Sequence, residues 1–87
     1  MWNFTKHVCI RMEERGFSKG DVLQVLNGEV PVIIYTNPQD ELVDLYFGQV
    51  MDKFLMIPVN RKTKAIITIR PMRKKEKEIY LSEVQNG

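Results

Sequence analysis

The spacing of apolar residues changes at Glu29, and this change constrains the fold more than any other feature of the chain. Before Glu29, apolar residues recur every three or four positions, as they do in amphipathic helices. After it, β-branched and aromatic residues come in short runs separated by turn residues, which is typical of strands. The sequence therefore predicts an α+β domain, in which two N-terminal helices pack on a four-stranded, mainly antiparallel sheet.

The two helices have recognisable ends. The first is predicted over residues 5–15 and stops at Gly16, because glycine readily adopts the left-handed conformation of a helix C-terminus. The second begins after Ser18, whose spacing from Asp21 resembles a capping box, and it ends at Asn27-Gly28.

Four apolar runs predict the strands, and they cover residues 30–36, 42–48, 54–60 and 65–70. Pro58 removes a hydrogen-bond donor from the third run, so this strand is expected at a sheet edge or with a bulge. A short helix is expected from Arg73 to Val84, with Ile79, Leu81 and Val84 partly docked. The predicted core residues of the strands are Ile33, Leu45, Phe47, Leu55, Ile57, Ile67 and Ile69.

The 87 residues form one predicted domain, since 44% of them are hydrophobic and 28% are charged. A single cysteine, Cys9, excludes an intrachain disulfide, and we expect it to be a buried apolar residue. The sequence shows neither an apolar run long enough for a membrane span nor a signal-peptide segment, so a cytoplasmic location is expected.

Charge is distributed unevenly along the chain. Residues 1–59 hold five Lys or Arg against eight Asp or Glu, whereas residues 60–87 hold eight against three. The C-terminal third is therefore a basic surface that can attract phosphate. Within it, the "RKKEK" segment is explained more simply as a solvated part of a basic extension over residues 72–87.

The segment "KHVCIRMEER" places His7, Arg11 and Arg15 at intervals of four, which aligns them along one side of a helix, beside an apolar stripe. Glu14 can pair with Arg11, but His7 and Arg15 have no acidic partner at helical spacing within the segment. Two interpretations remain open: the stems of the arginines cover apolar surface while their charges stay in water, or the stripe binds an anion.

The segments "KHVCIRMEERGFSKGDVLQVLNGEV", "IIYT", "LYFG" and "AIITIRP" resemble the domain of unknown function 4258 family of small bacterial and phage proteins, over about residues 5–71. That family is similar to the RelE and BrnT group of toxins, within the barnase-like and colicin-like ribonuclease fold. The resemblance implies a RelE-like fold, metal-independent RNA cleavage without a cofactor, and restraint by a partner antitoxin, for which we expect an acidic protein.

The resemblance places the family's helix histidine on His7, its arginines on Arg11 and Arg15, and its last-strand polar positions on Thr68 and Arg70. In metal-free cleavage the 2′-hydroxyl attacks phosphorus, which requires a base, cations around the phosphate and a proton donor. We expect catalysis from His7, Arg11 and Arg70, and RNA binding from Arg15, Thr68, Lys64 and Arg61. The proton donor stays open among Arg70, Thr68, Tyr35 and Tyr46.

The first helix and Arg70 are expected to enclose a single groove. A metal site is excluded because His7 and Cys9 point away from each other on a helix and the chain has no second histidine. Two other functions remain open: a non-catalytic adaptor of the same fold that binds RNA or protein, and a structural module whose stripe packs against a neighbour.

Overall fold

The structure is a computed structural model that describes residues 1–86, and it contains one mixed sheet with helices on both faces. In chain order the elements are β1 (Asn3–Phe4), α1 (Lys6–Arg15), α2 (Lys19–Leu26), β2 (Val32–Asn37), β3 (Asp40–Val50), β4 (Lys53–Asn60), β5 (Ala65–Ile66), β6 (Arg70–Pro71) and α3 (Lys74–Asn86). The predicted α+β class is confirmed.

The described residues form six strands rather than the four predicted. The order across the sheet is β1-β5-β4-β3-β2, and β6 pairs with β4 beyond the end of β5. All pairs are antiparallel except β1 with β5, which run parallel. The two additional strands arise because β1 was not predicted and because the predicted fourth strand is split into β5 and β6.

Side-chain caps define the two N-terminal helices as predicted. Thr5 caps α1 by accepting a hydrogen bond from the Val8 N–H at 3.2 Å, and Gly16 ends the helix with a φ of 73°. Ser18 and Asp21 form a capping box at the start of α2, with both hydrogen bonds at 3.0 Å. These local interactions explain why the ends of both helices could be predicted.

The sheet separates two apolar clusters. The larger one lies under α1 and α2 and contains Val8, Met12, Phe17, Val22, Val25, Leu26, Val50, Leu55, Ile57, Val59, Ile66 and Ile69. The smaller one lies under α3 and contains Phe47, Met56, Met72 and Tyr80. Because successive strand residues point to opposite faces, Leu55 packs toward α1 and α2 while Met56 packs toward α3.

The split between β5 and β6 lies opposite Pro58. The register pairs Val59 with Ile66 and Met56 with Arg70, so two residues of β4 face three residues of the partner segment. Such an extra residue is a bulge, and the missing N–H of Pro58 prevents regular pairing there. The bulge expected near Pro58 is therefore present, but the extra residue lies between Ile66 and Arg70 and not in β4 itself. The alternative expectation, a position at the sheet edge, is wrong, because β4 lies between β3 and β5.

Three predictions about burial are wrong. Ile67 lies in the bulge and is 42% exposed, so it is not a core residue. Cys9 is also exposed, because it lies on α1 away from the buried stripe of Val8 and Met12. Ile79 and Leu81 were expected to dock partly on the sheet but are exposed; Val84 does pack partly there, and Tyr80 is the residue of α3 that the sheet buries. Among the described residues, no helix has the length and apolar character needed to cross a bilayer.

Candidate functional site

The helix α1 lies lengthwise against residues 64–69. Three hydrogen bonds hold the N-terminal segment there: Asn3 N–H to the carbonyl of Lys64 (2.9 Å), the Thr5 hydroxyl to the carbonyl of Ile66 (3.3 Å), and the Arg15 guanidinium to the carbonyl of Ile69. Since these contacts proceed in the same direction along both segments, α1 follows the edge of the sheet from Lys64 toward β6.

This arrangement aligns four basic residues along one edge of the molecule. The backbone of Lys64 lies at one end, beside Asn3, and helical spacing places His7 and Arg11 on the same side of α1 as Arg15, which reaches the carbonyl of Ile69. We call these four residues the basic edge. His7 is exposed, and the Arg11 guanidinium makes a 3.1 Å ion pair with Glu14 in which both side chains keep about half of their surface in water. Such an exposed pair is weak, so Arg11 can exchange Glu14 for a phosphate.

Arg15 has a structural contact within the basic edge. Its guanidinium donates to the carbonyl of Ile69, which lies at the edge of the sheet where the split strand leaves irregular backbone. The guanidinium has further N–H groups that this bond does not use. Arg15 was predicted to bind RNA. The structure shows that its guanidinium also anchors α1 to the sheet.

The prediction that Arg70 shares a groove with the stripe on α1 is wrong. Arg70 pairs in register with Met56, whose side chain packs under α3 on the opposite face of the sheet. On that face the Arg70 guanidinium binds both carboxylate oxygens of Glu76, at 2.8 and 2.7 Å. The physical reason is the bulge, because one extra residue reverses which face each following side chain reaches.

The ion pair of Arg70 and Glu76 predicts a dependence of stability on pH. Hydrogen bonds from the Arg70 guanidinium lower the pKa of Glu76 from its ordinary value of 4.5, although burial acts in the opposite direction. Because the folded state binds the proton less tightly than the unfolded state, the pair stabilises the fold above about pH 4.5 and this contribution is lost as the pH falls through the folded pKa.

We therefore expect the free energy of unfolding, measured in urea, to fall less steeply between about pH 5 and pH 3 in Glu76→Gln than in the unchanged chain. Part of the slope must remain, since Arg61 lowers the pKa of Asp44 in the same way. Equal slopes in the two proteins would show that the ion pair contributes nothing.

The other predicted binding residues are dispersed. Arg61 lies in the turn between β4 and β5 and pairs with Asp44 through two bonds of 2.8 and 3.2 Å. Thr68 is half-buried in the split between β5 and β6, next to the basic edge. The ammonium of Lys64 lies 5.5 Å from the centre of the Trp2 ring. Only Thr68 and Lys64 therefore accompany the stripe on α1.

Neither tyrosine considered as a proton donor is joined to His7. The Tyr35 hydroxyl donates to Glu83 at 2.8 Å on the α3 side of the sheet, and the Tyr46 ring packs edge-on against Trp2 at 5.8 Å. Within residues 1–86, no side-chain hydrogen bond connects His7 to another residue, and no group of three or more His, Cys, Asp and Glu side chains is arranged to hold a metal ion.

Sequence reasoning missed two aromatic residues beside the basic edge. Trp2 and Phe4 both pack against the larger apolar cluster, and the ammonium groups of Lys64 and Lys19 lie over their rings, at 5.5 and 5.0 Å from the ring centres. Both rings are only partly buried, so they can offer surface to a nucleic-acid base. Alternating aromatic residues at positions 2 and 4 were the signal available in the sequence.

A cleft of about 50 Å³ lies on the α3 side, lined by Ile33, Tyr35, Phe47, Glu76, Ile79 and Tyr80. Pockets that bind small molecules are several times larger, so this cleft does not fit a nucleotide. It also lies on the face of the sheet opposite to α1. The basic edge, with Trp2 and Phe4 beside it, is therefore the candidate site.

No protein-family model, curated protein or solved structure matches this chain. The candidate site is consequently defined by its own geometry, which is an elongated line of basic residues along one edge of the sheet, with two aromatic rings at its start.

Proposed function

We propose that this chain is a cytoplasmic RNA-binding module that holds an extended RNA strand along the basic edge without cleaving it. The observation that carries the proposal is the alignment of α1 with residues 64–69, which brings cations from two distant parts of the sequence into one line. A phosphate backbone is a line of negative charges, and cations arranged in a line neutralise several of its phosphates together. The rings of Trp2 and Phe4 offer stacking surface for bases.

The geometry favours binding over cleavage because the groups that cleavage needs are separated. A base, a cation and a proton donor must surround one phosphorus atom. Arg70 is on the opposite face of the sheet and is occupied by Glu76. His7 and Arg11 remain together, but neither Tyr35 nor Tyr46 is joined to them, and of the candidate proton donors only Thr68 lies in the segment that α1 follows.

The toxin-like ribonuclease of RelE-like fold is the second candidate. One observation favours it: His7 is exposed and lies one helical turn from Arg11 on the same side of α1, so a base and a cation can meet one phosphate. In this candidate function, an acidic antitoxin would mask the basic edge.

Binding is tested by fluorescence anisotropy with a labelled oligouridylate. We expect Arg11→Ala and Lys64→Ala each to weaken affinity about five-fold and to flatten its salt dependence by about one unit, because each removes one phosphate contact. Lys77→Ala is the matched control: it removes the same charge from α3, where the ammonium lies over Phe54. An equal loss in Lys77→Ala would show that the binding is general charge attraction and does not involve the basic edge.

Cleavage is tested on the same protein with mixed RNA in EDTA. We expect RNA that stays intact at protein concentrations that saturate binding. Products with 2′,3′-cyclic phosphate ends that disappear in His7→Ala would instead establish the ribonuclease. In either case His7→Ala should keep nearly the full affinity for RNA, since Arg11, Arg15 and Lys64 still supply the phosphate contacts.

A further inference from the structure

The single tryptophan of the chain, Trp2, is held in one orientation by three contacts. Its indole N–H donates a 2.7 Å hydrogen bond to the side-chain carbonyl of Asn27, and the Tyr46 ring packs edge-on against it with 5.8 Å between the ring centres. The indole also packs against the larger apolar cluster and is partly buried. A ring that is already fixed loses little freedom when another flat ring stacks on it, so the indole is preorganised for stacking.

Asn27 can fix the indole because α2 fixes Asn27. This residue ends α2, and its N–H donates to the carbonyl of Leu23 at 2.9 Å. The helix itself is packed on the sheet through buried apolar residues. The backbone of Asn27 forms the helix end, which leaves its side-chain carbonyl to accept the bond from Trp2. The orientation of the indole is therefore tied to the rigid part of the fold.

Lys64 covers the indole with a group that can move away. Its ammonium lies 5.5 Å from the centre of the Trp2 ring, and the residue is exposed. The backbone of Lys64 has a φ of 63°, a conformation that glycine adopts more easily than lysine. What lysine adds over glycine here is an ammonium group beside an aromatic ring. Because its stem is flexible, that group can exchange the ring for a phosphate and so uncover the ring.

Two aromatic rings lie beside the basic edge, and Trp2 is the one that shares a lysine with it. Phe4 has a comparable neighbour, since the Lys19 ammonium lies 5.0 Å from its ring centre, but Lys19 belongs to α2 and is not part of the basic edge. A phosphate bound by Lys64 brings an adjacent base within reach of Trp2. The indole also offers a base more stacking surface than a phenyl ring does.

We propose that Trp2 stacks on one unpaired nucleobase of the bound strand, and that Asn27 is the residue that positions the indole. When the strand binds, the Lys64 ammonium moves to a phosphate and the base takes its place over the ring. This inference rests on the proposed RNA binding along the basic edge and adds the substrate class, which is a strand with unpaired bases. Bases within a duplex are already stacked and paired with one another, so they do not reach the ring.

Stacking is tested by comparing an oligouridylate with an oligomer of the same length in which every ribose is abasic. Both carry the same phosphate charge, so the ratio of their dissociation constants isolates the contribution of the bases. We expect the unchanged chain to bind the oligouridylate about ten-fold more tightly, which is a usual effect of stacking one base. Only the oligouridylate should quench the fluorescence of Trp2, and pairing it with oligoadenylate should abolish the quenching.

Trp2→Leu should lower this ratio to about one, because it removes the ring and keeps the phosphate contacts, and Trp2→Phe should restore part of the ratio. Phe54→Leu is the matched control. Phe54 also lies beneath a lysine ammonium, that of Lys77 at 5.2 Å, but it packs on the α3 side of the sheet. This variant should keep the full ratio. Circular dichroism establishes that each variant is folded.

The positioning role of Asn27 has its own test. Asn27→Ala should lower the ratio about three-fold, because the indole loses its fixed orientation, and it should lower the fluorescence anisotropy of Trp2 in the free protein. Asn27→Asp keeps an oxygen that accepts from the indole N–H. It should therefore keep the ratio, while its added charge weakens the binding of both oligomers equally. A ratio that Asn27→Ala leaves unchanged would overturn the positioning role.

The failure of stacking can be distinguished from the failure of RNA binding. Equal affinities for the two oligomers, or a ratio that survives in Trp2→Leu, would overturn the stacking on Trp2, whereas binding along the basic edge would still stand. A chain that binds neither oligomer would overturn both proposals. A paired oligouridylate that quenches Trp2 as strongly as the single strand would overturn the assigned substrate class.

Discussion

Gly48→Ala is expected to destabilise the fold by about 2 kcal/mol, because a methyl group at this position overpacks the contact between α2 and β3. A Cβ atom at Gly48 would lie 2.8 and 2.9 Å from the two methyl carbons of Val25, which is too close for carbon atoms. Val25 is fully buried and β-branched, so it cannot turn away within a helix. The helix α2 would have to move off the sheet.

Gly20→Ala is the matched control, because it makes the same change in α2 where an added Cβ would only contact the Ser18 hydroxyl at 3.6 Å. It should stabilise the fold by up to about 1 kcal/mol, since alanine favours a helix more than glycine does. Urea unfolding followed by circular dichroism measures both changes. Adding Val25→Ala should make the Gly48→Ala change less costly than it is alone, and strictly additive losses would contradict the overpacking explanation.

The parts of the fold that could be predicted are those that depend on neighbouring residues. The ends of α1 and α2 are set by Thr5, Gly16 and the pair of Ser18 and Asp21, all of which act within one helical turn. β1 could not be predicted in this way. It has two residues, and it exists because Asn3 and Phe4 pair with Ala65 and Ile66 more than sixty positions away.

The position of Arg70 illustrates why the candidate site was harder to predict than the fold. In an unbroken strand Ile66 and Arg70 would point to the same face, because they are four residues apart. The bulge opposite Pro58 adds one residue, so Ile66 packs under the helices α1 and α2 while Arg70 reaches Glu76 on the other face. The sequence indicates that Pro58 disturbs a strand, but not which side of the pair receives the extra residue.

The stripe on α1 was predicted from spacing alone, whereas the roles of its members depend on contacts with distant residues. The helical spacing of His7, Arg11 and Arg15 is local, and the structure retains it. The bond from Arg15 to the carbonyl of Ile69 joins residues 54 positions apart, and together with the bonds of Asn3 and Thr5 it aligns α1 with the sheet edge. The direction of the basic edge therefore follows from the docking of α1 and could not be derived from the segment itself.

Tyr80→Phe is expected to destabilise the fold by about 1 to 3 kcal/mol, because it removes a hydroxyl that satisfies two backbone groups. That hydroxyl accepts a 3.1 Å hydrogen bond from the N–H of Gln49 and donates a 2.6 Å bond to the carbonyl of Pro31. Tyr80 is only 3% exposed, so water does not readily replace the lost partner. The loss should be measurable by urea unfolding, together with faster hydrogen exchange at the Gln49 amide.

Tyr35→Phe separates this effect from the general loss of a tyrosine hydroxyl. The Tyr35 hydroxyl donates to Glu83 at an exposed position, where water can take its place, so its removal should cost less than about 0.5 kcal/mol.

The stability of Tyr80→Phe can also be compared with that of the unchanged chain at alkaline pH. Burial raises the pKa of Tyr80 above its usual value of 10, so the proton that bridges to Pro31 stabilises the fold below pH 10, and this contribution is lost as the pH rises through the folded pKa. Tyr80→Phe should therefore lose less stability than the unchanged chain above pH 10, and an equal loss in both proteins would contradict the assigned role of the hydroxyl.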